Sequence, residues 1–137
     1  MFKQNIEYTD FNGDARKEDF YFHLSLPEVT RIEAKLGTSI QKYTENITNE
    51  QDFKAMLEFL EDAILTAYGQ KTADGRSFHK SPELRSAFEN SQAYAELFEM
   101  LFTQPELARK FAEGIVDNGK KKAGLKAMES PIASPLA

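Results

Sequence analysis

Apolar and polar residues alternate along the first two dozen positions. Phe2, Ile6 and Tyr8, then Phe20, Phe22 and Leu24, occupy even positions, while Lys3, Asn5, Glu7, Thr9, Lys17, Asp19 and His23 occupy odd ones. A period of two sends neighbouring side chains to opposite faces, so the pattern predicts two strands with one apolar face each. Asp10-Phe11-Asn12-Gly13-Asp14 between them is a turn-forming cluster. A two-residue Asn12-Gly13 turn would place the two apolar sets on opposite faces, so an odd-length loop or a bulge is needed. A three-residue loop, 11–13 with Gly13 left-handed, pairs Asp10 with Asp14 and Ile6 with Glu18. A five-residue loop, 11–15, pairs Ile6 with Phe20, Tyr8 with Glu18 and Asp10 with Arg16. The longer loop is the expected one, because it sets apolar against apolar and joins opposite charges.

After residue 25 the period becomes helical. Ser25 is an expected N-cap, with Pro27 in the first turn and Glu28 at the capping-box position. Val29, Ile32 and Leu36 keep helical spacing, and Gly37 is the expected stop. A weaker helix is predicted over 39–47, with Ile40, Tyr43 and Ile47 on one side. The longest helix, about 49–68 and capped by Asn49 or Thr48, carries Phe53, Met56, Leu57, Leu60, Ala63, Ile64, Ala67 and Tyr68 on one stripe. Phe59 and Leu65 fall off that stripe, so either the helix is covered on two sides or these two residues wait for a partner. Gly69 ends the helix, and residues 69–80 read as a loop with an Asp74-Gly75 turn. Ser81-Pro82 restarts a short helix bearing Leu84, Ala87 and Phe88. Ser91 caps the next, with Tyr94, Leu97, Phe98, Leu101 and Phe102 as an aromatic stripe. Thr103-Gln104-Pro105-Glu106 reads as a second capping box before Leu107, Ala108, Phe111, Ala112 and Ile115.

The predicted class is α+β, mainly α: an N-terminal antiparallel β-hairpin (2–25), a helical body of about five or six helices (26–118), and a flexible tail (119–137). The 137 residues fit one domain, and eleven Phe within a 41% apolar content make an aromatic core. Net charge is −5. Residues 118–137 hold four Lys against one Glu, a charge of +3, so residues 1–117 carry −8. An acidic body repels phosphate, which argues against nucleic acid as the main partner, and Lys120-Lys121-Lys122 is too short for a nucleic-acid arm. The chain has no cysteine, hence no disulfide and no thiolate metal site, which fits a reducing cytoplasm. Its start, Met1-Phe2-Lys3-Gln4-Asn5, lacks the apolar run of a signal peptide, and no stretch approaches the ~20 apolar residues of a membrane span.

Candidate chemistry is sparse. The two histidines, His23 and His79, have no second ligand at metal spacing. Glu58, Glu61 and Asp62 share a helix side, which a solvated polar face explains. No nucleophile elbow, P-loop or dinucleotide fingerprint occurs. Lys71, Arg76 and Lys80 in the 69–80 loop suit an anion only weakly. The expectation is a non-enzymatic protein with no catalytic residues, no metal and no cofactor.

Several segments carry a resemblance. Tyr8-Thr9-Asp10-Phe11-Asn12-Gly13, Glu18-Asp19-Phe20-Tyr21-Phe22-His23-Leu24-Ser25, the run from Ala67 to Lys80 and Tyr94-Ala95-Glu96-Leu97-Phe98 together resemble the tail assembly chaperones of long-tailed, siphovirus-type bacteriophages. The likeness spans about residues 5–117. It implies an assembly factor in the host cytoplasm that binds the tape measure protein, keeps it soluble, recruits tail tube protein and leaves before the virion is complete. It also implies a longer frameshifted product in many such phages. Gly119-Lys120-Lys121-Lys122 suits an A-rich slippery run, which the nucleotide sequence would test.

Free strand edges and off-stripe aromatics can dock a hydrophobic helix or strand. The expected partner-binding residues are Phe11 and Tyr21 on the hairpin and Phe59 and Leu65 on the long helix. Self-association into a homo-oligomer is compatible with such a surface, and no membrane contact is expected. The rival readings are a virion structural protein, such as a head–tail connector or tail tube component, and a small phage enzyme or inhibitor of host functions.

Overall fold

In the computed structural model, which describes residues 1–45 and 53–116, the alternating segments pair as β1 (Phe2–Thr9) and β2 (Ala15–Phe22). Six helices follow among the described residues: α1 (Leu26–Leu36), α2 (Ile40–Glu45), α3 (Phe53–Ala67), α4 (Pro82–Glu89), α5 (Gln92–Thr103) and α6 (Pro105–Gly114). Between α3 and α4 the chain forms β3 (Tyr68–Lys71) and β4 (Phe78–His79). The fold is mixed α+β as expected, but the sheet has four strands, in the order β1-β2-β3-β4, and is not a lone hairpin.

The stretch read as a loop from 69 to 80 is therefore corrected. Tyr21 pairs with Gly69 and Phe22 with Tyr68, and β4 closes back on β3 through Gln70–His79 and Lys71–Phe78. The open edge of β2 supplies hydrogen-bonding groups that a loop would leave to water. Gly69 does not act as a left-handed helix stop. It is buried in the strand, where a Cβ would lie 2.5 Å from the Phe78 ring and 2.7 Å from the His79 carbonyl oxygen. The Asp-Gly turn does form: Gly75 has φ +75°, and Thr72 N donates to Ser77 O at 2.9 Å.

The hairpin register also differs from the expected one. Ile6 pairs with Glu18, Tyr8 with Arg16 and Thr9 with Ala15, which is the three-residue loop. Gly13 takes φ +87°, and its amide donates to Asp10 O at 2.9 Å. Asp10 decides the matter. Its carboxylate accepts from the amides of Asn12 (2.9 Å) and Asp14 (3.0 Å) and still reaches Arg16 Nε at 2.8 Å. The Asp10–Arg16 and Tyr8–Glu18 contacts that favoured the longer loop are made diagonally instead, Tyr8 donating to Glu18 at 2.6 Å.

Even-numbered strand residues turn inward. Ile6, Phe22 and Leu24 are fully buried, and Phe22 lies 5.5 Å from the Phe111 ring and 5.8 Å from the Phe88 ring. The helices thus pack on the even face. The glutamate of the predicted box at Ser25 closes back, with Ser25 N donating to Glu28 Oε1 at 2.9 Å, and Gly37 ends α1 at φ +76°. Ser81 caps α4 through Leu84 N and Ser91 caps α5 through Tyr94 N. The box expected at Thr103 does not form. Thr103 is the last residue of α5, where its hydroxyl donates to Glu99 O at 2.8 Å, and Gln104 precedes α6 without a side-chain cap bond. At the end of α6, Ile115 O accepts from Leu24 N at 2.7 Å, tying the helical body back to the end of β2.

The alternatives for α3 resolve in favour of two covered sides. Phe59 and Leu65, off the main stripe, are each only 6% exposed, and Phe59 lies 4.9 Å from the Tyr43 ring of α2. The proposed caps Thr48 and Asn49, the C-terminal part of the 39–47 helix and the 119–137 tail lie outside the described residues.

Candidate interaction surface

Two of the four expected contact residues reach the surface. Phe11, at the tip of the β1–β2 loop, is 77% exposed because the three-residue loop spends its backbone groups on Asp10 and leaves the ring outside. Arg16, followed by the Asp14 amide, holds the Asp10 carboxyl below its ordinary pKa, so the loop clasp stays ionised at neutral pH. Tyr21 is half-buried on the odd face, where Lys71 Nζ sits 5.7 Å from its ring centroid. Phe59 and Leu65 belong to the core and offer no surface in this conformation.

Tyr21 borders a cleft of about 450 Å³ at the point where β2 and β3 part. The two strands share only two residue pairs, so the first six residues of β2, from Ala15 to Phe20, have no ladder partner on β3. Glu18, Phe20, Tyr21, Tyr68, Gly69 and Lys71 line the opening. Aromatic walls beside the charged side chains of Glu18 and Lys71 suit an extended, amphipathic segment of another chain. Sequence reasoning found Tyr21 but missed Lys71 and Gly69, because they were placed in a loop. The available signal was the Asp74-Gly75 dipeptide, which marks a hairpin when strand-forming residues flank it.

The cations once grouped as a candidate anion site are largely engaged within the fold. Lys80 Nζ donates to Glu28 Oε1 at 2.6 Å and to His23 O at 2.7 Å, and Lys71 covers Tyr21. Burial pushes the Glu28 carboxyl up, but hydrogen bonds from Lys80 and the Ser25 amide outweigh it and leave the pKa below its ordinary value. Burial lowers the Lys80 pKa, and Glu28 offsets this in part. The two directions oppose each other across one bond. The 2.6 Å geometry favours the ionised pair at neutral pH. Among the described residues no group of three or more His, Asp or Glu is placed to hold a metal ion, and no helix is long and apolar enough to cross a membrane.

A family model described as phage tail assembly chaperone matches residues 1–123. The chain belongs to that family. No curated protein and no solved structure matches it. As a tail assembly chaperone it takes part in bacteriophage tail assembly. The matched span takes in the strand pair, the cleft and all six described helices.

Proposed function

We propose that this chaperone binds the tape measure protein in the host cytoplasm, keeps it soluble, recruits tail tube subunits and is released before the virion is complete. It does so by covering apolar surface of its client, without making or breaking a covalent bond. Family membership over residues 1–123 is the observation that carries this reading. The exposed Phe11 and the aromatic cleft beside Tyr21 support it, since both offer apolar contact next to unpaired strand edge.

Co-expression with the tape measure protein of the same phage tests the proposal. The client should move from the pellet to the soluble fraction and co-purify with the chaperone. An unchanged pellet would overturn the reading. Mass spectrometry of purified particles separates it from a virion structural role: the chain should be absent, and stoichiometric incorporation would contradict release.

A further inference from the structure

We propose that β1 pairs with β1 of a second copy, so that two chaperones join their sheets across a two-fold axis at Asn5. The proposal does not depend on which client the chaperone binds. β1 is the outer strand of the sheet and eight residues long. Its hydrogen-bonding parity follows from the hairpin. Asp10 N donates to Asp14 O, so 10/14 is a hydrogen-bonded pair, and in an antiparallel ladder such pairs recur at every second residue. Residues 2, 4, 6 and 8 therefore bond to β2. The backbone groups of Lys3, Asn5, Glu7 and Thr9 point away from it.

Among the described residues, no backbone group of another segment bonds to that outer side. The side chain of Gln4 reaches around to Asn5 O at 3.0 Å. Eight residues of open edge with exposed side chains at 3, 5, 7 and 9 form a template for another strand.

The charges select the occupant. Outward groups sit on odd residues, so a second β1 pairs antiparallel only with odd facing odd. Centred on Asn5, the register sets Lys3 opposite Glu7 and Glu7 opposite Lys3, with Asn5 facing its own copy. It also keeps Phe2, Gln4, Ile6 and Tyr8 on one common face. Registers centred on Lys3 or on Glu7 oppose like charges, and those centred between leave both charges facing neutral residues. Within one chain Lys3 already lies 3.8 Å from Asp19, and Glu7 lies 3.8 Å from Lys17. The dimer extends these into a row of alternating sign: Asp19, Lys3, then Glu7 and Lys17 of the second copy. A strand edge that is self-complementary in charge and parity fits a copy of itself better than an arbitrary extended segment.

Sedimentation equilibrium on the full chain tests this. A concentration-dependent dimer is expected. Lys3→Glu, which turns two attractive pairs into repulsive ones, should weaken it by about tenfold. Lys3→Glu combined with Glu7→Lys should restore it. These side chains are exposed, and circular dichroism should show the fold unchanged. A second measurement uses the absence of cysteine. In Asn5→Cys the paired Cα atoms lie about 5.5 Å apart, within disulfide reach, so mild oxidation should yield a covalent dimer. Thr9→Cys, which lies opposite position 1 of the other copy, should not cross-link. A chain that stays monomeric at all concentrations would overturn the proposal. A dimer insensitive to the charge swap, or cross-linking at Thr9→Cys but not at Asn5→Cys, would do the same. So would a monomer whose β1 edge is protected from amide exchange only when a foreign strand is added.

Discussion

Replacing Phe59 by Ala removes a ring that is 6% exposed and lies 4.9 Å from Tyr43. The ring is buried, so the expected loss is about 3–5 kcal/mol of stability. A urea midpoint that hardly moves would show that the ring is not core. Phe11→Ser is the contrasting case. The ring is 77% exposed, so stability should stay within about 0.5 kcal/mol while solubilisation of a co-expressed tape measure protein falls. Unchanged solubilisation would remove Phe11 from the contact surface. Both are Phe residues off a core stripe, and helical period alone says only which side of α3 Phe59 lies on. The burial of Phe59 depends on Tyr43 of α2, a six-residue helix whose place in space no local pattern encodes. The exposure of Phe11, by contrast, was legible once a tight turn was expected there.

At the scale of elements, the third strand is the most instructive. Gly69→Ala should destabilise the protein by about 1–3 kcal/mol, because the new methyl meets the Phe78 ring at 2.5 Å and the His79 carbonyl at 2.7 Å. Amide exchange should rise first at Tyr68–Lys71, where only two residue pairs hold β3 to β2. Wild-type exchange in that segment would show that β3 is not held as described. The alternation in β1 and β2, the Ser25, Ser81 and Ser91 caps and the Gly37 stop were all legible, because each depends on residues a few positions apart. The β3–β4 hairpin was not. Its four- and two-residue strands are too short to display a period, and their partner edge lies more than forty residues upstream. The register of the first hairpin turned on hydrogen bonds from one carboxylate, Asp10, which outweighed a better-looking set of cross-strand pairs.

At the scale of the whole molecule, Lys80 fastens three segments together. It follows β4, donates to His23 O just beyond β2, and pairs with Glu28 in the first turn of α1, fifty-two residues away. A long-range ion pair of this kind has no signature in the sequence, where Lys80 looked like one of three loop cations. Its consequence is a pH dependence with a definite sign. The Glu28 carboxyl titrates below its ordinary value of 4.5 in the folded chain, so the unfolded chain takes up a proton first as pH falls. The stabilisation is therefore fully present above about pH 4.5 and is lost as pH drops through the lower folded-state value. Glu28→Gln should lower Tm at neutral pH, where it leaves the half-buried Lys80 ammonium without its counter-charge. The gap between wild type and variant should narrow as pH falls below that point, because the wild-type pair is then being neutralised too. Asp10 and Asp74, whose carboxyls are also held low, steepen the acid limb equally in both proteins and cancel in the difference. A gap that stays constant from pH 7 down to pH 3 would mean that the Glu28 charge contributes no stability and that its pairing with Lys80 does not tie the sheet to α1.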